Sequence, residues 1–374
     1  MKIAVVSDDL IQHGGQERVT DAFLDIFPTA VLYSSAISPE WKTYLKSKNV
    51  KFHVSFADKI PFFYKLYRYY APFLMHNLAF ESFNLSEYDL VLSSSSRFAH
   101  TILTKPKTVH VCYMHSPGRM FWLTDDYFKN ESYGILKPLK KFAKSFLSYF
   151  LLYQRMLDYV AAQRVNVFLT NSEVVKKRIK KFYGRESSVI HPFIDLKPFK
   201  KLVAKDGDYF LVVTRLAAWK RVDIAIEACM DLNLKLKIIG DGPDMPRLVN
   251  LAKKSPLIEF MGAVPDDVKL DTLAGSKALI QTQYEDFGIV PLEANATGKV
   301  VLAYGKGGVL ETMQKGKTAE FFYSQNAESV KQLLISFDST RYDIKECTKN
   351  AERFDLSVFR QNVLNFINSI GSVY

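Results

Sequence analysis

The chain has 374 residues, too many for one typical domain and about right for two, and 48% of them are hydrophobic. Its three cysteines, Cys112, Cys229 and Cys347, are few and scattered, which excludes a disulfide framework and favours reduced thiols in the cytosol. No run of about 18 apolar residues predicts a transmembrane helix, and the short apolar N-terminus before Asp8 predicts a strand rather than a signal peptide.

The net charge of +11 indicates an anionic partner, which could be a nucleic acid, a membrane or a substrate. The cations concentrate among aromatic residues in two segments of the first half, 59–73 and 137–155. Two amphipathic helices with buried aromatics explain these segments, and so does contact with acidic lipids. Base stacking is the least favoured of the interpretations, and we expect no nucleic-acid partner.

The first half of the chain predicts alternating strands and helices, which is typical of parallel sheets covered by helices on both faces. A loop with Gly14 and Gly15 follows the first strand, and Asn171-Ser172 precedes a helix as a plausible N-terminal cap. The predicted strands are Ile3–Val6, Ala30–Tyr33, Leu90–Leu92, Thr108–Tyr113, Val165–Leu169 and Val189–Ile190, and the predicted helices are Glu17–Phe27 and Glu173–Tyr183.

A polar, lysine-rich stretch at 197–208 separates this half from a second alternation. We therefore predict two Rossmann-like α/β domains, 1–197 and 198–352, followed by a C-terminal segment, 353–374, whose helix packs back on the first domain. Ligands bind at the carboxyl ends of strands in such sheets, and a cleft between two domains is a natural active site. The predicted strands are Tyr209–Val213, Leu236–Ile239, Ile258–Met261, Ala278–Gln281 and Val300–Ala303, and the predicted helices are Arg221–Met230 and Leu356–Ile370.

The stretch E-D-F-G-I-V-P-L-E, from Glu285 to Glu293, is the most informative motif of the chain. Gly288 permits backbone conformations that a side chain forbids, and Pro291 suits the first turn of a helix. The motif thus predicts a loop leading into a helix, with one acid before the turn and one inside the helix. A helix N-terminus attracts phosphate, and carboxylates accept hydrogen bonds from hydroxyls, so a nucleotide sugar offers the matching groups.

Arg215 and Lys220 follow the Tyr209–Val213 strand, where two cations are well placed to bind a pyrophosphate. A solvated loop explains each cation by itself, but the acidic pair downstream favours a site. Gly14-Gly15 resembles a loop that approaches phosphate, although a plain turn explains it equally and G-x-G-x-x-G is absent. His115 follows a strand and precedes a polar turn, which leaves a structural and a functional role open.

Two further strings do not predict sites. Asp206-Gly207-Asp208 has the D-x-D spacing of a metal-diphosphate motif, but it lies in the linker, where a turn explains it better. Gly316-Lys317-Thr318 resembles the end of a P-loop, but position 311 is Glu rather than Gly. No cluster of His, Cys and Asp has the spacing of metal ligands, so we expect no metal.

Taken together, these motifs resemble the retaining GT-B glycosyltransferases that carry the E-x7-E motif, glycosyltransferase family 4-like. Within that family, C-Y-M-H-S-P-G-R-M-F-W and the segment Leu157–Asn166 are similar to bacterial surface-polysaccharide mannosyltransferases. The resemblance spans nearly the whole chain, through G-G-Q-E-R (Gly14–Arg18), T-N-S-E (Thr170–Glu173), V-I-H-P-F-I-D (Val189–Asp195), R-L-A-A-W-K-R-V-D (Arg215–Asp223), G-D-G-P (Gly240–Pro243), the Glu285–Glu293 motif and G-G-V-L-E (Gly307–Glu311).

The resemblance implies a role for each matching residue. Arg215 and Lys220 would bind the donor diphosphate and stabilise the departing charge. Glu293 would hold the ribose hydroxyls, Glu285 would contact the donor sugar, and His115 would orient that sugar. It further implies a metal-independent reaction in which transfer proceeds with retention on one face. The remaining residues assigned to donor binding are Gly14, Gly15, Gly240, Phe287, Gly288, Ile289 and Val290.

The implied function is transfer of a hexose, preferably mannose from GDP-mannose, to a lipid-linked saccharide in bacterial surface-polysaccharide synthesis. The enzyme would be cytoplasmic and peripheral on the anionic inner leaflet of the cytoplasmic membrane. Met114 and Gly118 depart from the family's usual residues around His115, which leaves the sugar open, so a UDP-sugar donor is an alternative. Two other classes remain: a glycoside hydrolase or phosphorylase that uses both glutamates, and a non-catalytic module that binds anionic membranes.

Overall fold

We describe the fold from a computed structural model. It describes residues 1–371 except 13, 61–74, 124–139, 203, 206 and 254, and for 75, 140–148 and 371 it describes the backbone alone. The two basic aromatic segments, 59–73 and 137–155, therefore lie largely outside the described side chains.

Internal packing divides the chain into two compact units. The first unit comprises Met1–Pro192 together with Arg360–Tyr374, and the second comprises Phe193–Phe359. The last helix therefore begins in the second unit and ends in the first. Inside the first unit its Arg360 pairs with Asp25 at 2.9 Å, which ties the end of the chain to the first helix of that unit.

The first unit is built on a parallel sheet of seven described strands in the order β3-β2-β1-β4-β5-β6-β7. Strand order reverses between β1 and β4, and the carboxyl ends of strands at such a reversal form the usual ligand-binding crevice of an open α/β sheet. Its strands are β1 Ile3–Ser7, β2 Val31–Ser34, β3 Phe52–Val54, β4 Leu90–Ser95, β5 Val109–Met114, β6 Val167–Thr170 and β7 Ser187–Val189, and its helices are α1 Gly15–Ile26, α2 Pro39–Ser47, α3 Met75–Glu81, α4 Arg119–Trp122, α5 Lys140–Arg164 and α6 Glu173–Tyr183.

The second unit repeats this architecture with six described strands in the order β10-β9-β8-β11-β12-β13. Here the reversal lies between β8 and β11, which pair directly through Ala278 with Phe210 and Leu279 with Leu211. Its strands are β8 Tyr209–Val213, β9 Lys235–Ile239, β10 Ile258–Gly262, β11 Ala278–Gln281, β12 Val301–Tyr304 and β13 Ala319–Phe322, and its helices are α7 Val222–Asp231, α8 Met245–Ala252, α9 Asp266–Ala274, α10 Ile289–Ala296, α11 Val309–Thr312, α12 Ala327–Ser336, α13 Ile344–Glu352 and α14 Leu356–Gly371.

Helices cover both faces of the second sheet, so its central strands are buried on both sides. On β8, Phe210 and Val212 join one apolar cluster while Leu211, between them, joins the cluster of the opposite face. This alternation follows from the two-residue period of a strand. It explains why these strands read as continuous apolar runs, as is typical of buried parallel sheets.

The structure confirms the predicted fold class of two parallel-sheet, Rossmann-like domains. Three elements coincide with their predicted bounds: the strands Tyr209–Val213 and Ala278–Gln281 and the helix Glu173–Tyr183. The predicted cap is also present, because the Ser172 hydroxyl accepts a hydrogen bond from the Val175 N–H. Two strands were missed, β3 and β13. Both lie at the edge of their sheet, and both lack the long apolar run that marks a central strand.

Candidate functional site

In the second unit, the loops that follow β8 and β11 meet at the reversal of strand order. The ammonium of Lys220, which is buried, forms an ion pair with the Glu285 carboxylate. It also lies 4.1 Å from the centre of the Trp219 ring, a cation–π contact. The Gln283 amide donates to the same oxygen of Glu285 at 3.2 Å. The structure thus brings Lys220 and Glu285 together, although 64 residues separate them in sequence.

Arg215 begins the same loop but is exposed, in contrast to Lys220. The loop is held by backbone contacts: the Leu216 N–H donates to the Asp241 carbonyl at 2.9 Å, and the Thr214 N–H donates to the Ile239 carbonyl at 3.0 Å. Gly240 lies against this loop with φ +133°, and a Cβ there would come within 1.9 Å of the Thr214 carbonyl oxygen. The visible role of Gly240 is therefore to let two backbones pack closely, and its contact with a ligand stays a prediction.

Helix α10 starts inside the Glu285–Glu293 motif, as predicted. Gly288 is its N-terminal cap with φ +88°, a conformation that L side chains rarely adopt, and Pro291 lies in the first turn. No side chain among the described residues caps this helix by a hydrogen bond. The first N–H groups of a helix have no intrahelical acceptor, and the helix dipole adds positive potential there. The start of α10 can therefore receive an anionic group.

Glu293 lies inside α10 with 5% of its surface exposed. The ammonium of Lys269, on α9, contacts both of its carboxylate oxygens at 3.2 Å and also contacts Asp266 at 3.0 Å. Each glutamate of the motif therefore has its own lysine, Lys220 for Glu285 and Lys269 for Glu293. Two carboxylates held in this way are suited to accept hydrogen bonds from hydroxyl groups.

In the first unit, the Gly14-Gly15 loop forms the start of α1. Gly14 is the N-terminal cap in an extended conformation and Gly15 is the first helical residue. A Cβ on Gly14 would lie 2.8 Å from a carboxylate oxygen of Glu17, so the glycine leaves room for this side chain. Burial, together with the charge of Asp9, raises the pKa of Glu17 to about 7. Near neutral pH this carboxyl is therefore partly protonated.

Asp8, directly after β1, anchors the end of β4. Its two carboxylate oxygens accept the backbone N–H groups of four consecutive residues, 96–99, at 2.7 to 3.0 Å, and the Gln16 amide at 2.9 Å. Burial disfavours the charge, but Arg97 and these hydrogen bonds outweigh it and hold the pKa of Asp8 below its ordinary value. Asp8 thus holds a negative charge against the backbone of residues 96–99.

His115 follows β5 and lies beside the same strand end. Its Nε2 is 2.9 Å from the Ser94 hydroxyl, its N–H donates to the Ser95 carbonyl at 2.8 Å, and its carbonyl accepts from the Asn171 amide at 3.0 Å. Burial lowers the pKa of His115 to about 4, which the charge of Asp8 partly opposes. The ring is therefore neutral at pH 7 and is suited to hydrogen bonding rather than to charge neutralisation.

Sequence reasoning missed the side chains that support these residues, namely Asp8, Gln16, Ser94 and Lys269. The signal available for Ser94 was the run of four serines, 93–96, at the end of a predicted strand. No local signal pointed to Lys269, because only the packing of α9 against α10 brings it to Glu293.

The structure describes part of the first rejected string and all of the second. Asp208 forms a surface ion pair with Lys235, while Asp206 lies outside the described residues. Lys317 and Thr318 lie in the turn before β13. Within the described part of the chain, no group of three or more His, Cys, Asp and Glu side chains could hold a metal ion, and no helix is long and apolar enough to cross a membrane.

Two protein-family models match adjacent parts of the chain. The model "Glycosyltransferase Family 4" matches residues 13–198, and the model "Glycosyl transferases group 1" matches residues 193–354. Together with the two parallel sheets, these matches show that the chain consists of two domains of the GT-B class of glycosyltransferase fold. Its N-terminal domain is similar to the first family and its C-terminal domain is similar to the second.

Individual relatives agree with this assignment. An uncharacterized glycosyltransferase of Methanocaldococcus jannaschii is 26% identical over 49% of this chain and 52% of its own length. The alpha-1,3/1,6-mannosyltransferase ALG2 of Saccharomyces cerevisiae is 27% identical over 42% of each chain. The crystal structure of HepE from Anabaena in complex with UDP is 17% identical, covers 99% of this chain and 100% of its own, and gives a TM-score of 0.69. The chain thus spans about half the length of the curated relatives or less, and the last likeness shows the fold alone.

Proposed function

We propose that the protein is a retaining glycosyltransferase that moves a hexose from a nucleoside diphosphate sugar to an acceptor hydroxyl. The observation that carries this proposal is the arrangement around the start of α10, which no described side chain caps: Lys220 contacts Glu285 ahead of the helix and Glu293 lies within it. The helix start and Lys220 supply positive potential for a diphosphate, and the two carboxylates supply acceptors for hydroxyls.

In this proposal Arg215 and Lys220 bind the donor diphosphate and stabilise the charge that develops on it as the sugar leaves. Glu293 accepts hydrogen bonds from the ribose. Glu285 and the backbone amides of 287–290 contact the sugar. For Gly14, Gly15, Gly240 and His115, the roles implied by the resemblance remain predictions. The leaving phosphate takes the acceptor proton on the same face of the sugar, which retains the anomeric configuration and needs no metal.

A mannosyl donor, GDP-mannose, is our first choice, and a UDP-sugar such as UDP-glucose or UDP-GlcNAc is the alternative. The relative ALG2 bears the name mannosyltransferase, which favours the first, whereas HepE was solved with UDP, which favours the second.

We expect thermal-shift screening in EDTA buffer to identify the base. A donor at about a hundred times its dissociation constant adds about 2.7 kcal/mol to the unfolding free energy, which raises the melting temperature by several degrees. GDP-mannose should stabilise the protein, and ADP- and dTDP-sugars should not. Selective stabilisation by UDP-sugars would replace the GDP choice, and no shift with any of the four bases would contradict the donor site.

A glycoside hydrolase would need one of the two glutamates as a proton donor. The structure favours this alternative less, because the carboxylates of Glu285 and Glu293 are each already engaged by a lysine ammonium.

We propose further that the acceptor is a lipid-linked saccharide in bacterial surface-polysaccharide synthesis and that the enzyme binds the inner face of the cytoplasmic membrane. Helix α5 supports this proposal because it has one exposed face without charged residues. The residues of this face recur every three or four positions along the helix. Four of the residues on this face expose more than half of their surface, with Tyr149 at 76%. We call this set the α5 face: Tyr149, Leu152, Tyr153, Met156, Tyr159 and Val160. Tyrosines beside aliphatic groups suit the interface of a bilayer.

Lys140, Lys141 and Lys144 lie on the first turns of the same helix, and acidic lipids attract such cations by about 1 kcal/mol each. We expect the protein to float with vesicles that contain phosphatidylglycerol, and neutralising these three lysines to glutamine should weaken binding about a hundredfold. Replacing Tyr149 and Met156 by serine should also weaken it. The matched control is Ile335→Ser on α12, which removes an equally exposed apolar residue from the second unit. Unchanged flotation of both α5 variants would refute the membrane role.

A further inference from the structure

The end of β4 carries a run of four serines, three of which each contact a different histidine. The Ser93 hydroxyl lies 2.8 Å from His110 Nε2, and the Ser95 hydroxyl lies 3.0 Å from His100 Nδ1. Both of these histidines are fully buried, as the alternation of strand residues between the two faces allows. Ser94 differs because its partner, His115, is partly exposed and belongs to the candidate site.

Ser94 is itself fully buried. Water therefore cannot readily replace His115 as the hydrogen-bond partner of its hydroxyl, and loss of that bond would raise the free energy. In the described structure His115 Nε2 is the hydrogen-bond partner of that hydroxyl, at 2.9 Å. A serine hydroxyl can donate or accept, but a buried hydroxyl with no other acceptor among the described residues donates its one proton to Nε2, which leaves the imidazole proton on Nδ1. Ser94 therefore controls both the orientation of the ring and its hydrogen-bonding character.

The backbone of Ser94 holds the other candidate element of the first unit. Its carbonyl accepts a hydrogen bond from the Gln16 amide at 3.1 Å, and Gln16 is the second residue of α1, directly after Gly15. The same amide nitrogen donates to Asp8 at 2.9 Å. One residue at the end of β4 thus connects to His115 through its side chain and to the start of α1 through its carbonyl.

We propose that Ser94 is a positioning residue that fixes the tautomer and orientation of His115. It also holds His115 in a fixed position relative to the Gly14-Gly15 loop. This inference rests on the proposed function for its effect on transfer, but the state of the imidazole can be measured without any donor or acceptor. It adds a residue to which neither the motifs nor the resemblance assign a role.

The test compares Ser94→Ala with Ser93→Ala, which is the same substitution at the neighbouring residue and removes an equivalent bond to His110. Long-range proton–nitrogen NMR of deuterated protein with labelled histidines reports the tautomer, and His115→Ala assigns the signal. We expect one neutral tautomer of His115 in the unmodified protein and in Ser93→Ala, and a mixture of tautomers in Ser94→Ala. Ser94→Cys, which fills the same space with a weaker hydrogen-bonding group, should shift the signal in the same direction and serves if the alanine variant does not fold.

In the transfer assay, Ser94→Ala should lower kcat/KM about fivefold, the effect of one hydrogen bond. Added to His115→Ala it should cause no further loss, because it acts through that ring. An unchanged His115 signal in Ser94→Ala and Ser94→Cys, or a full additional loss in the double variant, would overturn the inference. A shifted signal in a protein that transfers no sugar would instead contradict the proposed function and leave the positioning role standing.

Discussion

Replacing Lys220 by alanine should lower the rate of sugar transfer about 100- to 1,000-fold, the usual cost of removing one preorganised group that stabilises developing charge. Lys220 is buried, contacts Glu285 and lies over the Trp219 ring, so no other described side chain can take its place without rearrangement. Arginine at this position should restore little activity, because a planar guanidinium cannot occupy the space of a compact ammonium. The measurement is kcat under saturating donor and acceptor.

The matched control is Lys235→Ala, which removes a lysine–carboxylate pair with Asp208 on the surface of the same unit. Both groups are largely exposed, and such pairs contribute little to stability, so this variant should keep normal transfer. If Lys220→Ala keeps activity while Glu285→Gln abolishes it, the glutamates act as acid and base and the glycosidase alternative is correct.

Replacing Gly240 by alanine should lower the free energy of unfolding of the second unit by about 3 kcal/mol or more, because strain at positive φ adds to a backbone clash. The added Cβ would lie 1.9 Å from the Thr214 carbonyl oxygen, and a backbone atom cannot move away as a flexible side chain does. The loop that carries Arg215 must then shift, so transfer should fall as well. Denaturant unfolding and the transfer assay measure the two effects.

Gly262→Ala separates the clash from the conformational strain. Gly262 also has a positive φ, +69°, but a Cβ there would meet no atom within 4 Å. The Gly262→Ala substitution should lower the free energy of unfolding by about 1 kcal/mol, the strain of a left-handed residue alone, and should leave transfer unchanged. Equal destabilisation by the two variants would show that the close packing of the 214–217 and 240–244 loops is unimportant.

The sequence could predict the fold because the buried central strands are continuous apolar runs with turn residues between them. Tyr209–Val213 and Ala278–Gln281 were predicted to the residue for this reason. The edge strands Phe52–Val54 and Ala319–Phe322 were missed because they are only partly buried and lack a continuous apolar run. The order of the strands within each sheet could not be predicted from the sequence either. This order brings the loop after β8 to the loop after β11.

The candidate site also has parts that the sequence could predict and parts that it could not. The Glu285–Glu293 motif could be interpreted locally, since Gly288 and Pro291 predict a helix start, and the structure has a helix at Ile289–Ala296. The partners of the two acids could not be predicted from the sequence, because Lys220 and Lys269 reach them only through tertiary packing. For the same reason the sequence left an acid–base role of the two glutamates open as an alternative, whereas the ion pairs favour their role as hydroxyl acceptors.

The most direct test of the central claim is to follow a labelled sugar from its nucleoside diphosphate donor in the presence of a lipid-linked saccharide and EDTA. We predict that the label appears on the acceptor with the anomeric configuration of the donor, as read from the NMR coupling of the anomeric proton, and that Lys220→Ala prevents it. Release of the label only as free sugar, or no consumption of any of the four classes of donor, would contradict the account.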